Sequence, residues 1–222
     1  TDVFESVLER MNFTLFMGDI VYCRHSNTVP KLEELGNRDI RLVRGILNRE
    51  KILTVYKDQS TDQVRERFDF PTEKTVIGYV GRLAPLKRPK IAIQILESLP
   101  ESFYLVIVGD GPLRDRLEAY VTEKNLHQRV DFKGELAHES ALQVIYGIDA
   151  LVVPSKVESY CATGLEGAVL GTPVFATPVG ILPEVNSPMI TISEVGNLAD
   201  RLRDSDLTKG PLDEGLLVQH SG

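Results

Sequence analysis

From residue 74 onward, short apolar segments alternate with amphipathic segments of about a dozen residues, and this alternation restricts the possible folds more than any other feature of the chain. The apolar segments predict strands, and the segments between them predict helices. Strands joined through helices are connected by right-handed crossovers and lie parallel in one sheet. We therefore predict a doubly wound, Rossmann-like α/β domain whose parallel sheet is covered by helices on both faces. The predicted strands are residues 75–80, 103–108, 130–132, 150–153, 173–175 and 189–192, and the predicted helices are residues 88–99, 112–124, 137–146, 162–170 and 195–203.

The chain before residue 74 has a less regular pattern. Its predicted elements are helices over residues 3–15, 30–35 and 62–68 and strands over residues 19–23 and 40–43. We divide the chain into three parts, namely residues 1–48, a linker over residues 49–72 and the α/β domain over residues 73–222. The polar segment from residue 204 onward is expected to be frayed. Because the chain begins at Thr1 instead of Met, we expect a fragment or a processed product.

Composition and charge exclude several classes of protein. The net charge of −7 argues against a broad nucleic-acid-binding surface, although one local basic patch is compatible with it. The two cysteines, Cys23 and Cys161, are too few for a disulfide framework or a zinc site, and we expect reduced thiols in a cytosolic protein. The longest apolar runs fall far below the roughly 18 residues of a membrane-spanning helix, so no transmembrane segment is predicted.

A basic loop follows the first strand of the α/β domain. It carries Arg82, Lys87, Arg88 and Lys90 and enters the next helix. Ligands of open α/β sheets bind beyond the carboxyl ends of the strands, which is where this loop lies. Cations at a helix N-terminus oppose the helix dipole unless an anion is bound. The loop is therefore either a phosphate site or a solvated basic loop.

Glycines follow the next two strands. Gly109 and Gly111 permit close approach of the backbone to a ligand, but a tight turn into the following helix requires the same residues. A dinucleotide-binding G-x-G-x-x-G motif would need a small residue at the position of Arg114, so an NAD site is disfavoured. Gly134, after the third strand, either lines a base pocket with backbone groups or forms a plain turn.

Two carboxylates eight residues apart follow the fourth strand. Glu158 lies in the loop and Glu166 two turns inside the next helix, and eight helical residues span about 12 Å. This spacing suits an elongated ligand held at both ends. It is too long for the paired carboxylates of a glycosidase, which are about 5 to 9.5 Å apart. Glu158 is also explained by its place near a helix N-terminus, whereas Glu166 among apolar residues needs a partner. We expect Cys161 to be a packing residue and His127 and His138 to be exposed helix residues.

Five motifs occur together in the α/β domain. They are G-R-L-x-x-x-K at residues 81–87, G-D-G-P at 109–112, F-x-G at 132–134, P-S-x-x-E with E-x7-E at 154–166, and G-T-P-V at 171–174. In this order they resemble the C-terminal, donor-binding domain of family-4 (group 1) retaining glycosyltransferases of the GT-B fold. Residues 19–26 and 40–45 look like the last two strands of that family's N-terminal domain, so residues 1–48 would be the end of the acceptor domain.

The resemblance implies a role for each matching residue. Arg82 and Lys87 would bind the diphosphate of a nucleotide sugar and stabilise it as the leaving group, which is usually a large catalytic contribution. Glu158 would accept hydrogen bonds from hydroxyls of the donor sugar. Arg82, Lys87 and Glu158 are the implied catalytic residues. Glu166 would hold both ribose hydroxyls. The other implied donor contacts are Gly81, Gly109 and Gly111, then Lys133, Gly134 and Leu136 at the base, and Ser159, Tyr160, Cys161, Ala162 and Thr163 near the phosphates.

The resemblance also implies ligands and partners. The donor would be a UDP- or GDP-sugar and the acceptor a saccharide or lipid-linked molecule, as in polysaccharide or glycolipid biosynthesis. No metal or other cofactor would be needed, because the basic pair replaces the cation. Without its N-terminal domain the chain would be inactive or weakly active, and it would be cytoplasmic, either free or peripheral at the inner membrane face. It departs from the family at Ser159, where glycine is usual, and at Cys161, Ala162 and Gly167.

Two alternatives to a glycosyltransferase remain. One is an epimerase or phosphorylase of the same fold, although the order of motifs does not indicate the pyridoxal-binding lysine of a phosphorylase. The other is a non-catalytic module that binds a nucleotide sugar and docks on a separate catalytic subunit.

Overall fold

A computed structural model describes residues 21–23, 29–34, 39–42 and 47–220. The chain divides into two compact units, Thr1–Gly45 and Ile46–Gly222. In the first unit, the short strands β1 (Val21–Cys23) and β2 (Ile40–Leu42) pair in parallel, and α1 (Val29–Glu34) lies between them in the sequence. The predicted strands and helix are present there, and the helical pattern over residues 3–15 lies outside the described residues.

The second unit is built on one parallel sheet of six strands. The strands are β3 (Thr75–Val80), β4 (Phe103–Val108), β5 (Val130–Gly134), β6 (Ala150–Val153), β7 (Val174–Ala176) and β8 (Ile190–Ile192). Their order in the sheet is β5-β4-β3-β6-β7-β8, with all pairs parallel. The chain moves outward from β3 in one direction and then returns to its other side at β6. The reversal between β3 and β6 opens the crevice in which such sheets bind ligands.

Helices cover both faces of this sheet. They are α2 (Arg49–Asp58), α3 (Thr61–Arg67), α4 (Pro89–Ser98), α5 (Arg114–Glu123), α6 (His138–Gly147), α7 (Ala162–Val169), α8 (Leu198–Asp204) and α9 (Glu214–His220). Successive strand residues belong to different buried clusters: Val76 packs on the side of α6 and α7, and Ile77 on the side of α4 and α5. Because side chains alternate between the two faces of a strand, the clusters are the two sides of the sheet. The predicted doubly wound fold is confirmed.

Two segments differ from the sequence-based expectation. The segment expected to be a linker contains α2 and α3, and α2 was not predicted because only Ile52 and Val55 of its ten residues are buried. The segment expected to be frayed contains α9, whose Leu216 and Leu217 are buried in the core. Both helices present narrow apolar faces in polar stretches, so packing on the rest of the unit stabilises them more than their own periodicity does.

Lys209 anchors the segment between α8 and α9 to α6 and to the turn before β7. Its Nζ donates hydrogen bonds to the carbonyl oxygen of Tyr146, near the end of α6, and to Thr172 Oγ1 at 2.8 Å. Burial lowers the pKa of Lys209 to about 7, while the nearby charge of Asp149 acts in the opposite direction. A positive charge at a helix C-terminus is favourable, so this lysine is held by the helix dipole although burial disfavours its charge.

The free energy of unfolding is therefore expected to rise between pH 7 and pH 8.5 by up to about 1.4 kcal/mol per pH unit. The pKa of Lys209 is lower in the folded chain than in the unfolded one, so the unfolded chain binds more protons in this range and rising pH favours folding. The window ends below pH 9 because burial raises the pKa of Cys161 to about 12. At higher pH the folded chain keeps the thiol proton that the unfolded chain loses, so rising pH then lowers the free energy of unfolding. Urea unfolding at several pH values measures the slope. Lys209→Met should reduce it, whereas Lys57→Met, at an exposed position of α2, should not. Equal slopes in all three proteins would contradict the assignment.

Candidate functional site

The predicted site residues lie at the carboxyl ends of β3, β4, β5 and β6, in the loops that follow them and in α7. The loops are joined through their backbones: the Leu83 N–H donates to the Asp110 carbonyl oxygen at 2.9 Å, and the Gly109 N–H donates to the Gly134 carbonyl oxygen at 2.7 Å. The loops after β3 and β6 flank the point where the strand order reverses. The fold therefore brings these residues to the edge of the sheet where ligands are expected.

Gly109 and Gly111 allow the loops after β3 and β4 to pack closely. Gly109 has a φ of +125°, and a Cβ atom there would lie 2.1 Å from the Gly81 carbonyl oxygen. A Cβ atom at Gly111 would lie 2.7 Å from the Leu83 carbonyl oxygen. The loop after β3 thus packs its backbone directly against that of the loop after β4. Both positions require glycine because a Cβ atom would not fit between the two backbones.

A cavity of about 570 Å³ opens where these loops meet. Arg82 lines it, and this exposed guanidinium has no hydrogen-bond or ion-pair partner within the described ranges. The predicted site residues that do not line it are Lys87, Lys133, Gly134, Glu158, Ser159, Tyr160, Cys161, Ala162, Thr163 and Glu166. The Lys133 Nζ is 2.7 Å from Asp131 Oδ2, and the Gly134 carbonyl oxygen accepts the Gly109 N–H. The residues that line the cavity are Val80, Gly81, Arg82, Val108, Gly109, Asp110, Gly111, Glu135, Leu136 and Ala141.

Lys87 and Glu158 form an ion pair between the loops after β3 and β6. The Lys87 Nζ contacts Glu158 Oε2, and Ser155 Oγ donates to Glu158 Oε1 at 2.7 Å. Next to this pair, the Lys156 N–H donates to the Leu86 carbonyl oxygen at 2.7 Å. The carboxylate of Glu158 is thus fixed through both oxygens, and its charge is balanced by the lysine.

Tyr79 bonds to the loop after β3 and lies within the electrostatic influence of Glu158. Its hydroxyl donates to the Arg82 carbonyl oxygen at 3.0 Å. Burial raises the pKa of Tyr79, and the negative charge of Glu158 raises it further, so the phenol stays protonated. Tyr79 was not singled out from the sequence, because a tyrosine within an apolar strand is indistinguishable there from a core residue.

The N-terminus of α7 faces the same group of charges. Cys161 precedes the helix with a φ of +68° and provides no side-chain cap, so the first N–H groups of α7, beginning with Ala162 and Thr163, have no acceptor from this residue. Burial raises the pKa of Cys161 to about 12, and the charges of Glu158, Lys87 and Glu166 all act on it. A protonated, buried thiol agrees with the interpretation of Cys161 as a packing residue.

The neighbouring residues of this loop differ in exposure. Ser159 is exposed, whereas Tyr160 is buried with its hydroxyl oxygen 2.6 Å from His220 Nδ1 of α9. The Tyr160 carbonyl oxygen accepts the Ile181 N–H at 3.1 Å. The side chain of Tyr160 therefore anchors the loop to the core, which leaves contacts with a ligand to its neighbours.

His138 and Glu166 form a pair that the sequence did not predict. His138 Nε2 lies 2.7 Å from Glu166 Oε1, and the side chains are 42% and 9% exposed. His138 is the exposed helix residue that the sequence predicts, since it begins α6, but its contact with Glu166 of α7 was not predicted. The only signal in the sequence was the need of Glu166 for a partner, and nothing in the spacing identified the histidine.

Metal ligands do not gather in the described part of the chain: no three His, Cys, Asp or Glu side chains there come together as a possible cation site. The sequence contains one acidic D-x-D triplet, at residues 204–206, although none was expected. It is far from the cavity in the fold, because Asp206 lines a surface depression with Thr75 and Asp149 at the amino ends of β3 and β6. No helix among the described residues is long and apolar enough to cross a membrane.

Similar proteins agree with this architecture. The structure of HepE from Anabaena in complex with UDP-glucose superposes with a TM-score of 0.74 at 21% identity and covers 91% of this chain and 60% of that one, which establishes the fold. Among curated proteins, D-inositol 3-phosphate glycosyltransferase of Mycolicibacterium smegmatis is 30% identical over 163 residues, covering 68% of this chain and 37% of that protein. The 2-deoxystreptamine glucosyltransferase of Streptomyces kanamyceticus is 37% identical over 123 residues, covering 54% and 32%. The chain thus spans about a third of the length of these relatives.

The family follows from a match that covers about two thirds of the chain. The model of the group 1 glycosyl transferases matches residues 60–205, which include every motif after β3 and both carboxylates of the candidate site. The resemblance inferred from the five motifs is confirmed, and this chain belongs to the group 1 glycosyl transferases.

Proposed function

We propose that this chain is the donor-binding half of a retaining glycosyltransferase, which transfers a hexosyl group from a UDP- or GDP-sugar to a saccharide or lipid-linked acceptor. The observation that carries the proposal is the guanidinium of Arg82, which has no partner among the described residues and lines the cavity at the carboxyl ends of β3, β4 and β5. The names of the curated relatives support transfer to a small polar acceptor, and the UDP-glucose complex of HepE supports a uridine donor.

Arg82 and Lys87 have different roles in this proposal. Lys87 is already paired with Glu158, whereas Arg82 has no partner among the described residues. A diphosphate entering the cavity would therefore meet Arg82 first, without breaking an ion pair, and the planar guanidinium suits two phosphate oxygens. As the bond to the sugar breaks, negative charge develops on the diphosphate. Fixed positive charge stabilises it where it develops.

Glu158 is prepared to bind the sugar. Ser155 and Lys87 hold its two oxygens, so the carboxylate has a defined orientation before the donor arrives. Its pairing with Lys87 also reduces the repulsion that an isolated carboxylate would exert on a diphosphate. The remaining lone pairs of Glu158 can accept sugar hydroxyls.

The first turn of α7 would complete the diphosphate site. The N–H groups of Ala162 and Thr163 and the positive end of the helix dipole favour an anion, whereas the Gly164 N–H is directed at the Cys161 sulfur. The protonated thiol of Cys161 is a poor nucleophile, which is compatible with same-face transfer without a covalent intermediate. The leaving group, in this proposal, is stabilised from Arg82 on one side and from α7 on the other.

Calorimetry with UDP, GDP and their glucose and mannose conjugates tests the proposal. We expect Arg82→Ala to weaken binding of the preferred nucleotide about 10- to 100-fold, because a hydrogen-bonded charge contributes about 1.5 to 3 kcal/mol. Binding should also weaken with added salt, since screening reduces attraction between exposed charges. Arg201→Ala, at an exposed position of α8, is the matched control.

Two outcomes would contradict the proposal. Unchanged affinity in Arg82→Ala would remove the cavity as the diphosphate site. Nucleotide binding without any transfer, after the chain is joined to the N-terminal portion found in its relatives, would instead indicate a non-catalytic module that docks on another subunit.

A further inference from the structure

We propose that His138 is a positioning residue for ribose recognition: its imidazole holds the Glu166 carboxylate in the orientation that accepts the ribose hydroxyls of the donor. The inference rests on the proposed function, in which Glu166 binds that ribose. Nothing in the spacing of the motifs assigns a role to His138, and the proposal comes from its contact with Glu166.

The contact joins a buried acid to a partly exposed base. Glu166 is 9% exposed, and its Oε1 lies 2.7 Å from His138 Nε2. A buried carboxylate is costly unless it is hydrogen-bonded, and in the described part of the chain His138 is the one side chain that bonds to it. The imidazole therefore stabilises the carboxyl group of Glu166 inside an apolar helix.

Glu166 keeps capacity for a ligand. Its second oxygen, Oε2, has no hydrogen bond to the described residues and is not among the fully buried unpaired atoms, so it retains contact with solvent. A carboxylate offers about four acceptor positions. One bond from His138 therefore leaves enough of them to accept two vicinal hydroxyls.

The placement of His138 favours this role over a purely structural one. It is the first residue of α6, two positions after Leu136, which lines the cavity, and its side chain contacts Glu166 of α7. At 42% exposure the imidazole contributes little to the buried core, and the residue before it, Ala137, provides no side-chain cap. Loss of the imidazole should thus act through Glu166, which loses its side-chain hydrogen bond, and not through packing of the imidazole itself.

Discrimination between a ribonucleotide and its dideoxy analogue measures this role directly. The probes are UDP or GDP, whichever binds more tightly, and the 2′,3′-dideoxy form of the same nucleotide, titrated into the full chain by calorimetry. We expect His138→Ala to reduce the preference for the ribonucleotide about tenfold while affinity for the dideoxy form changes little, because only the bonds to the hydroxyls depend on the orientation of Glu166. His138→Gln should restore much of the preference, since its amide can donate a hydrogen bond to Glu166.

Glu166→Ala separates failure of this inference from failure of the proposed function. If Glu166→Ala abolishes the preference and His138→Ala leaves it unchanged, the positioning role is wrong and the proposed function stands. If neither change alters the preference, or no nucleotide binds, the proposed role of Glu166 fails and the inference fails with it. Equal loss of affinity for both probes in His138→Ala would indicate a general structural effect and would also overturn the inference.

Discussion

Alanine at position 109 is expected to lower the free energy of unfolding of this chain by about 2 to 5 kcal/mol. Gly109 has a φ of +125°, and a residue with a Cβ atom in left-handed backbone conformations loses roughly 1 to 2 kcal/mol. The new Cβ atom would also lie 2.1 Å from the Gly81 carbonyl oxygen, and overpacking costs about 1 to 3 kcal/mol more. The obstacle is backbone, so no side-chain rotation relieves it.

Urea unfolding of Gly109→Ala and Gly196→Ala tests this prediction. Gly196 has no atom within 4 Å of the position of its Cβ atom, so its replacement should change the unfolding free energy little. Because Gly109 packs on Gly81, the residue before Arg82, any folded Gly109→Ala protein should also bind nucleotide more weakly. Unfolding curves of Gly109→Ala that coincide with those of the parent chain would show that the two loops separate without cost.

The sheet was predictable from the sequence because its strands are buried on both faces. Thr75–Val80 and Phe103–Val108 coincide with the predicted strands, since a continuous apolar run flanked by helical patterns has few other interpretations. The helix Arg49–Asp58 was not predictable in the same way. It buries Ile52 and Val55 alone, and tertiary packing decides whether so weak a pattern folds.

Parts of the candidate site were predictable for a different reason. Parallel strands place their carboxyl ends at one edge, so the loops carrying Arg82 and Glu158 had to be near each other. Pairing of individual side chains does not follow from this rule. The contacts of Lys87 with Glu158 and of His138 with Glu166 depend on where long side chains end, and sequence spacing does not encode that position.

The pairing of Lys87 changes how the two cations of the site are understood. A sequence motif treats Arg82 and Lys87 as one basic pair, but the fold neutralises the lysine with Glu158 and leaves the arginine open to the cavity. A bound diphosphate would therefore compete with Glu158 for Lys87, and a donor sugar that engages Glu158 would release the lysine for the phosphate. In the proposed function, sugar recognition by Glu158 and leaving-group stabilisation by Lys87 would thus be linked through one ion pair.

Replacement of Arg129 by methionine is expected to cost about 3 to 5 kcal/mol of unfolding free energy, because each buried carbonyl oxygen that loses its donor costs about 1 to 3 kcal/mol. The Arg129 side chain is 7% exposed and connects the end of α4 with the start of β4. Methionine has a similar length but no donor, so it would leave buried carbonyl oxygens unpaired. The acceptors are the carbonyl oxygens of Leu96, Leu99, Pro100 and Phe103 and the carboxylate of Glu101.

Two further variants separate the contributions within this network. Glu101 is 86% exposed, so Glu101→Gln should cost less than about 1 kcal/mol, as exposed ion pairs do. Arg116→Met, at an exposed position of α5, is the control for loss of an arginine. A small effect of Arg129→Met would mean that the carbonyl oxygens find water instead, and a large effect of Glu101→Gln would mean that the ion pair carries the stabilisation. Arg129 lies at the amino ends of β4 and β5, away from the cavity. A folded Arg129→Met chain should therefore bind nucleotide as tightly as the parent. That result would separate the Arg129 network, which affects stability, from Arg82, which is proposed to affect binding.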